Sequence, residues 1–128
     1  MNYYISKKVN GQFDQIIDHV TEALKEIGFG VLTTIHVHKT LKEKIDADFK
    51  PYTILGACNP HFANKALRIE DKLGVILPCN VIVIDQGGGV IEVAAMHPKE
   101  MMQSLNNSKL DAIVEEVSVL IEKMINRL

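Results

Sequence analysis

The sequence predicts an α+β fold, a two-layer sandwich in which helices pack on a largely antiparallel or mixed sheet. Three observations support this class. Five segments have the pattern of strands, three have the apolar spacing of amphipathic helices, and their order is β-α-β-β-α-β-β-α. Helical connections mixed with a hairpin fit this architecture better than regular βαβ repeats. A length of 128 residues is that of one ordinary domain, so residues 1–128 are expected to form a single domain.

The first part of the chain predicts two strands around an amphipathic helix. "YYISKKV", residues 3–9, alternates and is rich in β-forming residues, which is typical of a strand. Residues 12–27 place apolar side chains three and four positions apart, and Gly28 follows where a left-handed helix end is common. "FGVLTTIHV" predicts a second strand that ends near His38, and "TLKEKI" favours a short helix after it.

The rest of the chain predicts three strands and two helices. "YTILGACN" predicts the third strand, and Asn59 followed by Pro60 predicts a helix start, because Asn caps helices well and proline suits their first position. This helix is expected to run to about Asp71. "CNVIVIDQ" and "VIEVAAMH" flank three glycines and predict a hairpin. An apolar stripe from Leu110 to Leu128 predicts a closing amphipathic helix on the sheet.

Composition argues against several classes of function. Charged residues are 23% and the net charge is −2, with basic residues spread among acidic ones, so nucleic acid is not an expected partner. Aromatic residues are only 5%, which leaves little material for base stacking. No segment approaches the roughly 18 apolar residues of a membrane span, and the first residues lack a secretion signal. We therefore expect no membrane partner, a cytoplasmic location and reduced thiols.

The two cysteines each precede an asparagine and lie beside a proline, in "CNP" and "PCN". Cys58 is the last residue of the third predicted strand, where the positive end of the following helix favours a thiolate. Cys79 enters the fourth strand, so the two sulfur atoms are expected to share a pocket if these strands are neighbours. The sequence therefore predicts a small-ligand site. Its expected residues are those nearest the two thiols: Gly56, Cys58, Asn59, Cys79 and Asn80.

Other interpretations of the cysteines stay open at this stage. Free cysteine often packs as a small apolar residue, which would leave the protein as an interaction module without a ligand. A thiol-redox or metal-binding protein would use Cys58 and Cys79 directly. Metal binding has candidate ligands of suitable type: Cys58, Cys79, His61 and His97, with His36 and His38 as a second pair on one strand face. No second metal-binding motif supports them, so no metal ligand, catalytic residue or cofactor is assigned.

Several stretches of the chain resemble the bacterial and archaeal family called domain of unknown function 302. They are "YTILGACNP", "GVILPCNVIV", "VAAMHP" and the opening "GFGVLTTIHVHKTLKEKIDADFKPY", so the resemblance covers nearly the whole chain. It implies a small α+β domain similar to the TATA-binding-protein-like fold class, a homodimer, and no established activity. It carries over five signature positions without a catalytic role: Cys58, Asn59, Pro60, Pro78 and Cys79.

Overall fold

The computed structural model describes residues 2–128, which form one five-stranded sheet with five helices. The strands are β1 Tyr4–Asn10, β2 Gly30–His36, β3 Tyr52–Cys58, β4 Cys79–Asp85 and β5 Val90–Met96. The helices are α1 Phe13–Glu26, α2 Val37–Ile45, α3 Pro60–Ile69, α4 Pro98–Met102 and α5 Asp111–Asn126. Short 3₁₀ turns span Asp71–Val75, Gln103–Leu105 and Ser108–Leu110. The predicted α+β sandwich is confirmed.

All neighbouring strands are antiparallel, in the order β1-β5-β4-β3-β2. Strands β3 and β4 are therefore adjacent, and their register places Ala57 opposite Cys79 and Gly56 opposite Asn80. Because the strands run in opposite directions, the last residues of β3 lie beside the first residues of β4. This end of the two central strands therefore contains both cysteines, in neighbouring strands.

Helices α1 and α5 pack on one face of the sheet and form the main core with it. The buried side chains of this core come from both layers: Val20, Leu24, Leu55, Val81, Val83, Ile91, Val93, Ile121, Met124 and Ile125. Each such side chain contributes roughly 1.5–3 kcal/mol when it leaves water. Within residues 2–128, the helices are too short or too polar to cross a bilayer.

Local signals placed several element ends correctly. The Asn59 side-chain oxygen accepts hydrogen bonds from the backbone N–H groups of His61 and Phe62 at 3.0 and 3.2 Å, so the predicted start of α3 is confirmed. Gly28 has a φ of 84° at the end of α1, as a left-handed helix end requires. The three glycines between β4 and β5 also have positive φ values, 87°, 64° and 80°, and they form the predicted hairpin turn.

The second strand ends earlier than predicted, and a helix follows it directly. A hydrogen bond between His38 and Tyr52 holds the start of this helix against the third strand. Strand β2 stops at His36, and His38 lies in α2 instead of the strand. The His38 Nδ1 atom accepts a hydrogen bond from the backbone N–H of Tyr52 at 3.0 Å, a donor that a longer β2 would have engaged. Helix α2 then ends at Ile45, and the following residue, Asp46, has a left-handed φ of 53°.

Two further elements differ from the prediction. Helix α3 ends at Ile69 instead of near Asp71, because the Glu70 side chain accepts a hydrogen bond from the backbone N–H of Lys72 and so starts a 3₁₀ turn. Helix α4 was not predicted. It begins at Pro98, a residue that suits a first helical position but gives no periodic apolar pattern over five residues.

Candidate functional site

A small apolar cavity lies at the end of the two central strands, where β3 ends and β4 begins. Its volume is about 60 Å³. Side chains from the sheet, α3 and α5 form its walls, among them Ala57, Phe62, Ala66, Cys79 and Val117. Of the residues that the structure describes, none that lines the cavity carries a charged side chain. A ligand there meets mainly carbon and sulfur atoms.

Both cysteines line this cavity as free, half-buried thiols. The register of β3 and β4 sets Ala57 opposite Cys79, which packs against the main core, and Cys58 lies one residue further along at the end of its strand. Burial and, to a smaller extent, the neighbouring Cys58 thiol raise the pKa of the Cys79 thiol from 9.0 to about 11. Cys79 is therefore a neutral thiol at physiological pH.

Asn59 also lines the cavity, but its side-chain oxygen is already used. It accepts from the N–H groups of His61 and Phe62, while the Asn59 backbone oxygen accepts from Ala63 N–H at 2.9 Å. Pro60, the first residue of α3, has no N–H to offer. The first turn of α3 therefore has no free backbone N–H group to donate to the neighbouring Cys58 sulfur.

Gly56 and Asn80, the other two predicted site residues, lie on the opposite face of the sheet. They are opposite each other in the β3–β4 register, one residue from the Ala57–Cys79 pair. Because side chains alternate between faces, Gly56 and Asn80 point away from the face that Ala57 and Cys79 share, and Cys58, two residues after Gly56, borders the cavity only from the end of its strand. A Cβ atom on Gly56 would overlap the Thr33 hydroxyl and come within 2.9 Å of Pro78 Cγ, so the glycine permits close packing of these neighbours.

Comparison with known proteins identifies the family. The family model described as "Domain of unknown function DUF302" matches residues 5–128. The chain belongs to the DUF302 family. It is similar to a solved structure, "Crystal structure of uncharacterized conserved protein DUF302 from Bacillus stearothermophilus", with a TM-score of 0.90 and 28% sequence identity over 99% of this chain and 98% of that chain. No curated protein matches the chain.

The histidines of this DUF302 chain do not join the cysteines. His61 is exposed on α3, and His97 places its Nε2 atom 3.4 Å from Glu122 Oε1 on α5. His36 Nδ1 lies 2.9 Å from the Thr53 hydroxyl. The His38 ring, on α2, contacts the His36 ring edge to face. Within residues 2–128, no group of three or more His, Cys, Asp or Glu side chains is arranged to hold a metal ion.

A second, wider groove of about 460 Å³ lies on the opposite face of the DUF302 sheet. All three tyrosines of the chain line it, together with Asn80 and Met101. Three residues form part of both the groove and the cavity wall: Leu77, Pro78 and Met96. Sequence reasoning missed this groove, because its residues come from distant segments that share no motif.

Two methionines in the cavity were also missed. Met96 ends β5 and Met102 ends α4, and both line the cavity that holds the two cysteines. The position of Met102 depends on α4, which has no clear signal in the sequence, whereas Met96 lies at the end of the predicted fifth strand. The sulfur content of the cavity is therefore visible only in the folded chain.

Proposed function

We propose that the protein binds a small ligand in the cavity beside Cys58, Asn59 and Cys79. The observation that carries this proposal is that both cysteine residues border one cavity, whose wall has no charged residue among the described residues. A cavity of roughly 150 Å³ holds benzene, so a volume of about 60 Å³ suits a ligand of fewer atoms. Shape, apolar contact and sulfur atoms are what the site offers for recognition.

Xenon is a suitable first probe, because it is small and apolar and binds in protein cavities. We expect xenon to shift the NMR signals of residues that line the cavity in the wild-type protein. Ala66→Leu fills the cavity, since Ala66 lies in its wall and is only 6% exposed, and should abolish these shifts. Ala112→Leu makes the same change at an exposed position of α5 and should keep them. Wild-type protein without xenon-dependent shifts would contradict the proposal.

We also propose that the protein forms a homodimer in which strand β2 of one copy pairs with β2 of the other. Both β1 and β2 are edge strands of the sheet. Strand β1 carries Lys7 and Lys8, and charged side chains are a common protection of an edge against pairing. Strand β2 has no charged residue, and its Leu32 and Ile35 side chains are 69% and 48% exposed. An antiparallel β2–β2 contact would satisfy the two-fold symmetry of a dimer and cover these side chains.

Light scattering after size-exclusion chromatography tests the dimer. We expect a dimer for the wild-type protein and a monomer for Ile35→Lys. Val119→Lys changes a side chain on α5 that is 51% exposed, and it should remain a dimer. A monomeric wild-type protein would refute self-association and favour the interpretation that β2 binds a different protein.

The second candidate function is thiol redox chemistry, and the closeness of Cys58 and Cys79 favours it. Its step would join the two sulfur atoms and transfer two electrons and two protons to an external disulfide. Cys58 would have to attack first, because Cys79 keeps its proton at neutral pH. Alkylation followed over a range of pH tests this candidate, and a Cys58 thiol that reacts no faster than an ordinary one would refute it. Two free thiols also support the proposed cytoplasmic location, where reductants keep such pairs open.

A further inference from the structure

A groove of about 460 Å³ lies on the sheet face opposite α1 and α5. The strand register fixes which side chains belong to this face. Ile82 of β4 lies opposite Ala94 of β5, and Tyr4 of β1 lies opposite Met96 of β5. These side chains alternate with the core residues of their strands, so they point away from the main core. The floor of the groove is therefore largely apolar.

The lining of the groove is aromatic and uncharged. All three tyrosines of the chain line it, and of the residues that the structure describes, none in this lining is charged. Tyr3 and Tyr4 pack edge to face with ring centroids 5.2 Å apart, and they are 67% and 37% exposed. Asn80, also exposed, adds one amide group. Tyrosine and methionine are enriched, and most charged residues depleted, at the centre of protein interfaces, so this lining is typical of a surface that binds another polypeptide.

The groove is elongated along the strands. Tyr52 lies opposite Ile84, which is four residues from Asn80 on β4, and both Tyr52 and Asn80 line the groove. At about 3.3 Å per strand residue, the lining extends for about 13 Å. A polyproline II segment rises about 3.1 Å per residue, so about four of its residues match this length.

The polar groups of the groove favour such a segment over other ligands. A charged ligand would lose water without gaining a partner of opposite charge. A helical peptide uses its backbone carbonyl groups internally, whereas a polyproline II segment leaves them free to accept from tyrosine hydroxyl groups and the Asn80 amide. Proline rings also dock well in aromatic-lined grooves. A second copy of the chain fits poorly, because two-fold symmetry would set one concave groove against another.

We propose that the groove lined by Tyr4, Tyr52 and Asn80 binds a proline-rich segment of another protein in the polyproline II conformation. The tyrosine rings contact the proline rings, and the tyrosine hydroxyl groups and the Asn80 amide donate to peptide carbonyl oxygens. This site lies on the opposite face of the sheet from the cavity and does not depend on a ligand there.

NMR titration of isotope-labelled protein with a blocked hexaproline peptide tests the site. We expect saturable shifts that are confined to the groove residues and persist in high salt, because no charged group takes part. Tyr4→Ala should weaken binding about tenfold, as expected for an aromatic side chain at the centre of an interface. Met101→Ala should weaken it several-fold. Met102→Ala is the matched control, since the adjacent Met102 lines the cavity instead, and it should leave the affinity unchanged.

Other outcomes would overturn the inference, and the spectra verify that each variant is folded. No saturable shift at about 1 mM peptide would exclude the binding. Shifts outside the groove, or full affinity in Tyr4→Ala, would place the peptide elsewhere. Equal shifts from a glycine-serine peptide of the same length would show that the proline rings are not recognised. Shifts of groove residues that depend on protein concentration without peptide would identify a second copy as the occupant.

Discussion

Alkaline pH should destabilise the folded protein through Cys79. Its folded pKa of about 11 lies above the ordinary value of 9.0, because burial favours the neutral thiol. Below pH 9 the thiol is neutral in both states and the free energy of unfolding does not depend on it. Between 9 and 11 the unfolded chain loses its proton first, so the folded state loses stability as the pH rises. The difference between the two pKa values corresponds to roughly 3 kcal/mol.

Urea unfolding under reducing conditions, over a series of pH values, measures this effect. Tyrosine and lysine side chains also titrate in this range, so the informative quantity is the difference between wild-type protein and Cys79→Ala. That difference in the free energy of unfolding should shrink as the pH rises, because only the wild-type protein has the Cys79 thiol that loses its proton more readily in the unfolded state. Cys58→Ala is the matched control and should remove only the smaller contribution that Cys58 makes. Parallel stability curves for wild-type protein and Cys79→Ala would refute a buried neutral thiol.

Three further substitutions test the surroundings of the site by chemical denaturation. Gly56→Ala should cost about 1–3 kcal/mol by overpacking, whereas Gly30→Ala, with open space around it, should cost much less; equal costs would contradict the close packing at Gly56. Asn59→Ala removes the cap of α3 and should cost about 1 kcal/mol; unchanged stability would contradict the cap. Glu115→Gln breaks a 2.7 Å ion pair between exposed side chains, Glu115 and Lys99, so the loss of stability should be small and should vanish in high salt; a large loss that salt does not change would contradict this assignment.

Features with local causes could be predicted from the sequence. Asn59 and Pro60 specify the start of α3 through the capping side chain and the missing proline N–H, both of which act within one helical turn. The three glycines specify the hairpin in the same way, since each adopts a positive φ. The end of β2 depends on a contact between His38 and Tyr52, which are 14 residues apart, and no local pattern encodes it.

The candidate site could be predicted only in part for the same reason. The strand-to-helix turn after Cys58 and the strand entry at Cys79 are local features, but their meeting depends on β3 and β4 being neighbours. The register then decides which face each residue takes. It sends Gly56 and Asn80 to the opposite side, although they are next to the cysteine region in sequence. The place of Met102 in the cavity depends on α4, a five-residue helix with too few positions to show periodicity.

A crystal structure of the reduced protein under xenon pressure tests the central claim most directly. We predict one xenon peak in contact with the sulfur atoms of both Cys58 and Cys79, inside the cavity that the sheet forms with α3 and α5. Sulfur atoms that face different parts of the molecule, or a tightly filled space without a peak, would contradict a shared ligand site.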